Sequence, residues 1–297
     1  LAAEAAAPEN LTRLLRGNRY ALPRRTEKEM IGSLLYDLNH ASIWHQELKV
    51  WNQRLRAASL DRLVFLGLHR LGLMGKEEAR LFKKLVEPGM LTVDIGANIG
   101  LYALLLAQLA GPDGRVFAFE PEPKLFAMLC ENCAANDAAN VTPFQIAAGE
   151  KNGRATFQRA IFNSGDNRLG PARADAQPIE VEVARLDDVL PVRAVQFIKI
   201  DVQGHELGAL SGMPELLSAS PDVRVLFEFC PFGLRSANTA PESLLDFFRD
   251  RGFELYEMKT GSLQHIGNPS RLLSQVQGKQ YINLLASRTP LNHRAEK

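Results

Sequence analysis

Cysteine is scarce in this chain: Cys130, Cys133 and Cys230 are all there are among 297 residues. An odd, low count excludes a disulfide framework as the source of stability and fits a reducing compartment. A surplus of charge of either sign is also missing. The 35 basic and 34 acidic side chains leave a net charge of +1, so the chain as a whole has no attraction for nucleic acid or for an anionic membrane. Long apolar runs are absent too. The most apolar stretch, Ile99 to Ala110, is too short to span a bilayer and reads as a helix lying on a sheet. The opening residues, Leu1 to Asn10, lack the basic start and long apolar core of a secretion signal. The expectation is therefore a cytoplasmic protein with neither nucleic acid nor membrane as its partner. There is no internal repeat and no low-complexity linker, and the length admits one α/β domain plus an appendage.

The C-x-x-C formed by Cys130 and Cys133 has no second ligand pair nearby to complete a zinc site, and it sits inside a helical pattern. Both read as ordinary helix cysteines. Residues 11 to 85 read as helical, with Ile31, Leu34, Leu35 and Leu38, then Leu60, Leu63, Val64 and Leu71, at helical spacing. Gly72 and Gly75 punctuate the chain before a further amphipathic stretch from Glu77 to Val86. The division this suggests is a helical N-terminal region over 1–75 and a catalytic domain over 76–290. Three roles stay open for the first region: covering the site, dimerising, or docking a carrier. The oligomeric state is not fixed by the sequence, with a dimer among the options.

From Met90 onward strands and helices alternate. Strands are expected at Leu91–Ile95, Val116–Phe119, Val141–Ile146, Gln196–Ile200, Val223–Phe229, Phe253–Met258 and Tyr281–Ala286. Helices are expected at Ile99–Leu109 and Pro123–Asn136, from His205, and over Pro241–Arg251. Such alternation gives a mainly parallel sheet covered on both faces, a Rossmann-like α/β class. An excursion over about 150–195 interrupts it, with two extra strands at Ala155–Gln158 and Ile179–Ala184 around a turn-rich segment from Asn163 to Gly170.

The strongest chemical signal is Val93-Asp94-Ile95-Gly96-Ala97-Asn98-Ile99-Gly100, which follows a strand and opens a helix. Glycines there allow a sharp turn and close approach of backbone to a ligand. The loop lacks the third glycine of the dinucleotide fingerprint, and the acid before it would repel a pyrophosphate. An NAD-dependent oxidoreductase, the rival enzyme class, is disfavoured on both counts. Asp94 would suit a cationic ligand, an ammonium or a sulfonium. Glu120 ends the next strand, 20 positions after Gly100, the spacing that puts a carboxylate on a ribose diol. An acid for the sugar and an acid for an ammonium, without a phosphate cradle, describe S-adenosylmethionine better than NAD. A non-catalytic module that keeps the fold is the third reading, and the intact loop with Glu120 argues against it.

Four stretches resemble the FkbM family of methyltransferases: Pro88-Gly89-Met90 with the glycine loop; Val116-Phe117-Ala118-Phe119-Glu120-Pro121; Asn140-Val141 through Ala147-Ala148-Gly149-Glu150-Lys151-Asn152-Gly153; and Phe197-Ile198-Lys199-Ile200-Asp201-Val202-Gln203-Gly204-His205-Glu206. Their order and spacing match over roughly 75–287. Where the family usually has glutamate this chain has Gln203. The resemblance implies a class I methyltransferase fold, with a seven-stranded sheet whose final strand is antiparallel, and S-adenosylmethionine as methyl donor. It implies a small-molecule acceptor, methylated at a hydroxyl on a sugar, polyketide or related compound. Carried over residue by residue, it makes Asp94, Gly96, Ala97, Asn98, Gly100, Glu120 and Pro121 cofactor contacts, with Ala147 and Ala148 on the adenine side.

Ligands of open α/β sheets bind beyond the carboxyl ends of the strands. Asp201, His205 and Glu228 fall there and are the candidate catalytic residues. Transfer to a hydroxyl needs oxygen, methyl and sulfur in line and a base for the hydroxyl proton. His205 has a suitable intrinsic pKa, while Asp201 could orient the substrate or take the proton. Competing with these roles, Asp201 and His205 could simply begin the following helix. Lys199 is expected to face away from the site or to pair with an acid, and Glu206 to serve the helix dipole. Asp201 and Glu228 alone are too few oxygen ligands for a metal, and none is assigned. Asp166, Asn167 and Arg168 in the excursion read first as a turn, and second as contacts to a hydroxylated substrate.

Overall fold

A computed structural model describes residues 46–57, 66–72, 74–160, 164–171, 173–191, 194–260 and 262–291 of the chain. The first described element is a hairpin, β1 (Gln46–Val50) and β2 (Gln53–Ala57), paired antiparallel with Gln46 opposite Ala57. Trp51 and Asn52 make its turn, at φ 48° and 74°, the double left-handed geometry of a two-residue hairpin loop. The helical reading of 11–85 therefore fails here. Residues 66–70 are helical, as is α1 (Lys76–Leu85), while 11–45 and 58–65 lie outside the described residues.

Thereafter the chain alternates: β3 (Leu91–Ile95), α2 (Leu101–Ala110), β4 (Arg115–Phe119), α3 (Pro123–Ala135) and β5 (Val141–Phe144). Next come the short β6 (Ala147–Ala148), β7 (Gly153–Ala160), β8 (Arg168–Leu169), β9 (Ala176–Ala184) and α4 (Leu186–Val189). Then follow β10 (Phe197–Ile200), α5 (Glu206–Ser211), α6 (Pro214–Ala219), β11 (Arg224–Phe229), α7 (Pro231–Ser236) and α8 (Pro241–Arg249). The chain closes with β12 (Glu254–Lys259), β13 (Ser262–His265), α9 (Leu272–Gln275) and β14 (Ile282–Ser287).

The main sheet has the order β13-β12-β14-β11-β10-β3-β4-β5. Strands β5, β4, β3, β10 and β11 are parallel, and β14 is antiparallel between β11 and β12. This is the expected Rossmann-like, mainly parallel sheet with one addition: β13, which makes a hairpin with β12, is an eighth strand that the sequence pattern did not announce. The inner strands are apolar on both faces because helices cover both. Val116, Ala118, Phe197, Leu226 and Leu285 meet α1, α2 and α3 on one side. Phe117, Phe119, Ile198, Ile200 and Phe227 meet α5, α6 and α8 on the other. The excursion is a second sheet, β6-β9-β7-β8, in which β7 and β9 are antiparallel and longer than the pattern indicated.

The hairpin is tied to the domain by two asparagines. Asn132 on α3 and Asn136, the residue that caps its C-terminus, stand one turn apart. The Arg56 N–H donates to Asn132 Oδ1 at 2.8 Å, and the Arg54 N–H donates to Asn136 Oδ1 at 2.8 Å. In return Asn132 Nδ2 donates to the Arg56 carbonyl at 3.3 Å, and Asn136 Nδ2 to the Arg54 carbonyl at 2.6 Å. Four helical residues rise about 6 Å and two strand residues about 6.6 Å, so the side-chain amides match the strand repeat and stand in for a neighbouring backbone. Val50, Leu55 and Ala57 join the same core as Leu81, Leu104 and Leu129. The core thus crosses the expected boundary at residue 75.

Asn132 is fully buried and also donates to the Ile99 carbonyl at 2.8 Å, linking hairpin, α3 and glycine loop. Asn132→Ala is expected to lower unfolding free energy by roughly 1–3 kcal/mol, the cost of stranding buried backbone groups. Denaturant titration, with proteolysis of the hairpin as a second readout, checks it.

Candidate functional site

The glycine loop is shaped by left-handed backbone at Gly96 (φ 81°), Asn98 (φ 52°) and Gly100 (φ 93°). A Cβ at Gly96 would collide with the Asp201 carbonyl oxygen, and one at Gly100 with Leu129 of α3. The first glycine therefore lets β3 and β10 end side by side, and the second lets α2 and α3 close. Asn98, one of the few residue types that tolerates this geometry, accepts the Ile99 N–H on Oδ1 at 2.8 Å.

Glu120, buried at the end of β4, fixes this loop from the next strand. Its Oε2 accepts the Asn98 N–H and its Oε1 accepts the Glu122 N–H, both at 2.9 Å. Each carboxylate oxygen can accept more than one hydrogen bond, so this anchoring leaves capacity toward the cavity that Glu120 lines. Burial pushes its pKa up to about 7, against the opposing effect of the two N–H donors.

That cavity runs along the carboxyl edge of the sheet. Of the sequence-assigned cofactor contacts, Gly96, Ala97, Asn98, Glu120, Pro121, Ala147 and Ala148 line it. Asp94 and Gly100 do not. Asp94 is fully buried beneath the loop, with Oδ1 at 3.4 Å from Lys199 Nζ. The expectation that Asp94 meets a ligand cation gives way to an internal ion pair. Lys199 also reaches Asp201 Oδ2 at 3.5 Å and lies 4.8 Å from the centre of the Tyr102 ring. Burial opposes its charge, but Asp94 and Asp201 overcome this and hold its pKa above the usual lysine value.

The three catalytic candidates, Asp201, His205 and Glu228, all line the same cavity. Gln203 joins two of them: its Nε2 donates to Asp201 Oδ1 at 2.9 Å and to Glu228 Oε1 at 3.3 Å. Both oxygens of Asp201 are thereby engaged. Burial, then the charges of Asp201 and Glu206, raise Glu228 well above the carboxylate range. Burial lowers His205 below its usual 6.5, opposed by Glu150. Glu206 is buried and accepts the Gly204 N–H at 3.0 Å, which holds the turn before α5.

The excursion contributes Ser164, Gly165 and Asn167 to the wall. Asn167 Oδ1 already accepts the Ala160 N–H at 2.8 Å. Asp166 and Arg168 are not in the wall; they pair with each other at 3.6 Å, and Arg173 approaches Asp166 at 2.7 Å. Their first reading, as residues that set a turn, is the one the contacts favour. Sequence reasoning missed Glu78 and Asn283, which line the cavity from outside the motif-bearing stretch. Only the helical phase of α1 and the strand alternation of β14 hinted at where they point. Cys130, Cys133 and Cys230 are free thiols, and burial pushes Cys133 up to about 12, far from a reactive thiolate.

The family model described as "Methyltransferase FkbM domain" matches residues 94–255, more than half of the chain. Among curated proteins, the chain is 28% identical over 198 residues to "Methyltransferase sdnD" of Sordaria araneosa, covering 55% of this chain and 73% of that protein. It is 31% identical over 163 residues to "2-O-methyltransferase NoeI" of Sinorhizobium fredii, covering 48% and 65%. It is 32% identical over 161 residues to "31-O-demethyl-FK506 methyltransferase FkbM" of Streptomyces tacrolimicus, covering 44% and 62%. The chain thus spans about two thirds of these relatives' lengths.

Glu120 and Glu206 are both raised by burial to about 7 from an ordinary 4.5. A carboxyl group whose folded pKa is raised stabilises fully below the unfolded pKa and loses that contribution as pH rises through the folded one. Without ligand, stability is therefore expected to fall between about pH 4.5 and 7 on their account. In Glu120→Gln the fall should be shallower, as read by denaturant midpoints across that window.

Proposed function

Since the chain belongs to the FkbM methyltransferase family, whose methyl donor is S-adenosylmethionine, we propose that it methylates a hydroxyl oxygen of a small molecule. A sugar, polyketide or related compound is the acceptor class. One observation carries the reading: a single cavity holds both Glu120 with the glycine loop and the Asp201, His205 and Glu228 group. Donor and acceptor can thus meet on one carboxyl edge. The names of two relatives, a 2-O-methyltransferase and a 31-O-demethyl-FK506 methyltransferase, support oxygen as the accepting atom. The three free cysteines support action in a reducing cytoplasm.

The residues present fit the donor. Gly96, Ala97 and Asn98 bring the loop to the cavity wall. Glu120 has acceptor capacity left for a ribose diol, and the small side chains of Ala147 and Ala148 leave room for a flat base. When bound, S-adenosylmethionine supplies an electrophilic methyl group on a sulfonium. The protein's part is then to place an oxygen in line with that methyl and to remove its proton. Asp201, fixed by Lys199 and Gln203, is suited to orient the hydroxyl. Glu228 keeps its proton to higher pH than an ordinary carboxyl group and can donate a hydrogen bond to the acceptor. His205 is uncharged at neutral pH because burial disfavours its cation, and it takes the hydroxyl proton as the new bond forms. Such general-base help contributes typically about 10²–10⁴-fold.

Incubation with donor and a panel of hydroxylated compounds, read by mass spectrometry for one added CH₂ group, tests the activity. Product carrying the methyl on carbon or nitrogen only, or turnover of NAD instead, overturns the reading. Glu120→Ala is expected to weaken binding of S-adenosylhomocysteine by roughly 1–3 kcal/mol. His205→Ala should leave that binding intact while lowering kcat by about 10²-fold or more; calorimetry and initial rates separate the two effects.

A further inference from the structure

Glu78 lies on α1, upstream of the span matched by the family model. It is 7% exposed, lines the cavity, and has one oxygen in use: Oε1 accepts from Asn283 Nδ2 at 2.7 Å. Its other oxygen, Oε2, is buried and has no hydrogen-bond partner among the described residues. A buried carboxylate oxygen left unpaired is unfavourable unless something arrives to meet it.

Position says where that something would sit. Glu78 and Phe82 share one face of α1, four residues apart. The Phe82 ring lies 5.6 Å from that of Tyr102, in the first turn of the helix that the glycine loop opens. One turn back along α1, Glu78 lines the same cavity as the loop residues Gly96, Ala97 and Asn98. Lys199 and Asp201 are its principal charged neighbours besides Glu77 on its own helix. Lys199, the one lysine or arginine among the described residues of this wall, already serves both Asp94 and Asp201. Among the described residues, the wall formed by Glu78 and Asp201 is therefore short of positive charge.

We propose that Glu78, oriented by Asn283, is the counter-ion for the α-ammonium group of the donor's amino-acid end. The inference rests on the reading of the cavity as an S-adenosylmethionine site. It gives Glu78 the part that Asp94, buried beneath the loop beside Lys199 and outside the cavity wall, is not placed to play. Glu120 then holds the nucleoside end and Glu78 the amino-acid end, and the sulfonium lies between them, toward Asp201 and His205. Desolvation keeps Glu78 easier to protonate than an ordinary carboxyl group, and an arriving ammonium would reverse that bias.

The test is calorimetric titration of the whole chain with three probes: S-adenosylhomocysteine, its analogue lacking the α-amino group, and 5′-methylthioadenosine, which lacks the amino-acid end altogether. The wild-type chain should bind S-adenosylhomocysteine about 10- to 100-fold more tightly than the des-amino analogue, the range for a charged hydrogen bond. Glu78→Gln, close in shape, should lose most of that preference while binding the des-amino analogue and 5′-methylthioadenosine as the wild type does. Equal loss for all three probes would mark a folding defect and overturn the assignment, as would an unchanged preference in Glu78→Gln. A wild-type chain indifferent to the amino group would overturn it without any variant. Failure of the wild type to bind any of the three probes would sink the donor reading itself, and this inference with it.

Discussion

The ammonium of Lys199 stands between Asp94 on β3 and Asp201 just beyond β10, two neighbouring strands that end side by side under the glycine loop. Remove that positive charge and the carboxyl edge would gather Asp94, Asp201, Glu228 and Glu78 with no other lysine or arginine among the described residues of the cavity wall. Breaking a buried pair by deleting one member is strongly unfavourable because the survivor keeps its desolvation cost. The aromatic face of Tyr102 adds a further contact to the same cation. The site can thus be acidic toward its cavity while the layer below is neutralised. That is the electrostatic condition for attracting a cationic ligand without unfolding the strands that carry it.

Toward the cavity, amides share in holding the carboxylates. Gln203 sits in left-handed backbone at φ 54° and spends both amide hydrogens on Asp201 and Glu228. A glutamate in its place, as is usual in the resembling family, would put a third acid where this chain has a neutral donor. Asn283 does the same for Glu78 from β14, and backbone N–H groups do it for Glu120. Each acid is fixed in direction, which matters more for in-line chemistry than total charge does.

Much of this was legible in the sequence because it is local. The glycine loop, Glu120 and the turn from Asp201 to His205 each follow a strand within a few residues, so pattern and destination coincide. Asp94 shows where such reasoning stops. Its position ahead of the loop is plain, yet its direction is decided by Lys199, 105 residues later, on a strand that pairs beside it. The hairpin at 46–57 was hidden for a similar reason. Its alternation is short, and the groups that satisfy β2 are Asn132 and Asn136, far along the chain at the end of α3. Glu78 and Asn283 lie 205 residues apart and meet only in the folded molecule.

The antiparallel β14 has a consequence for the order in which the molecule can be completed. It slots between β11 and β12 rather than adding at a rim, and Asn283 and Tyr281 beside it form part of the cavity wall. While the chain is still emerging from the ribosome, the parallel half of the sheet can form, but a gap separates it from β12 until the residues up to Ser287 are made. A nascent or truncated chain ending before that strand would present the glycine loop and Glu120 with one wall of the crevice missing. Such a chain would also lack Asn283, the group that orients Glu78 across the crevice.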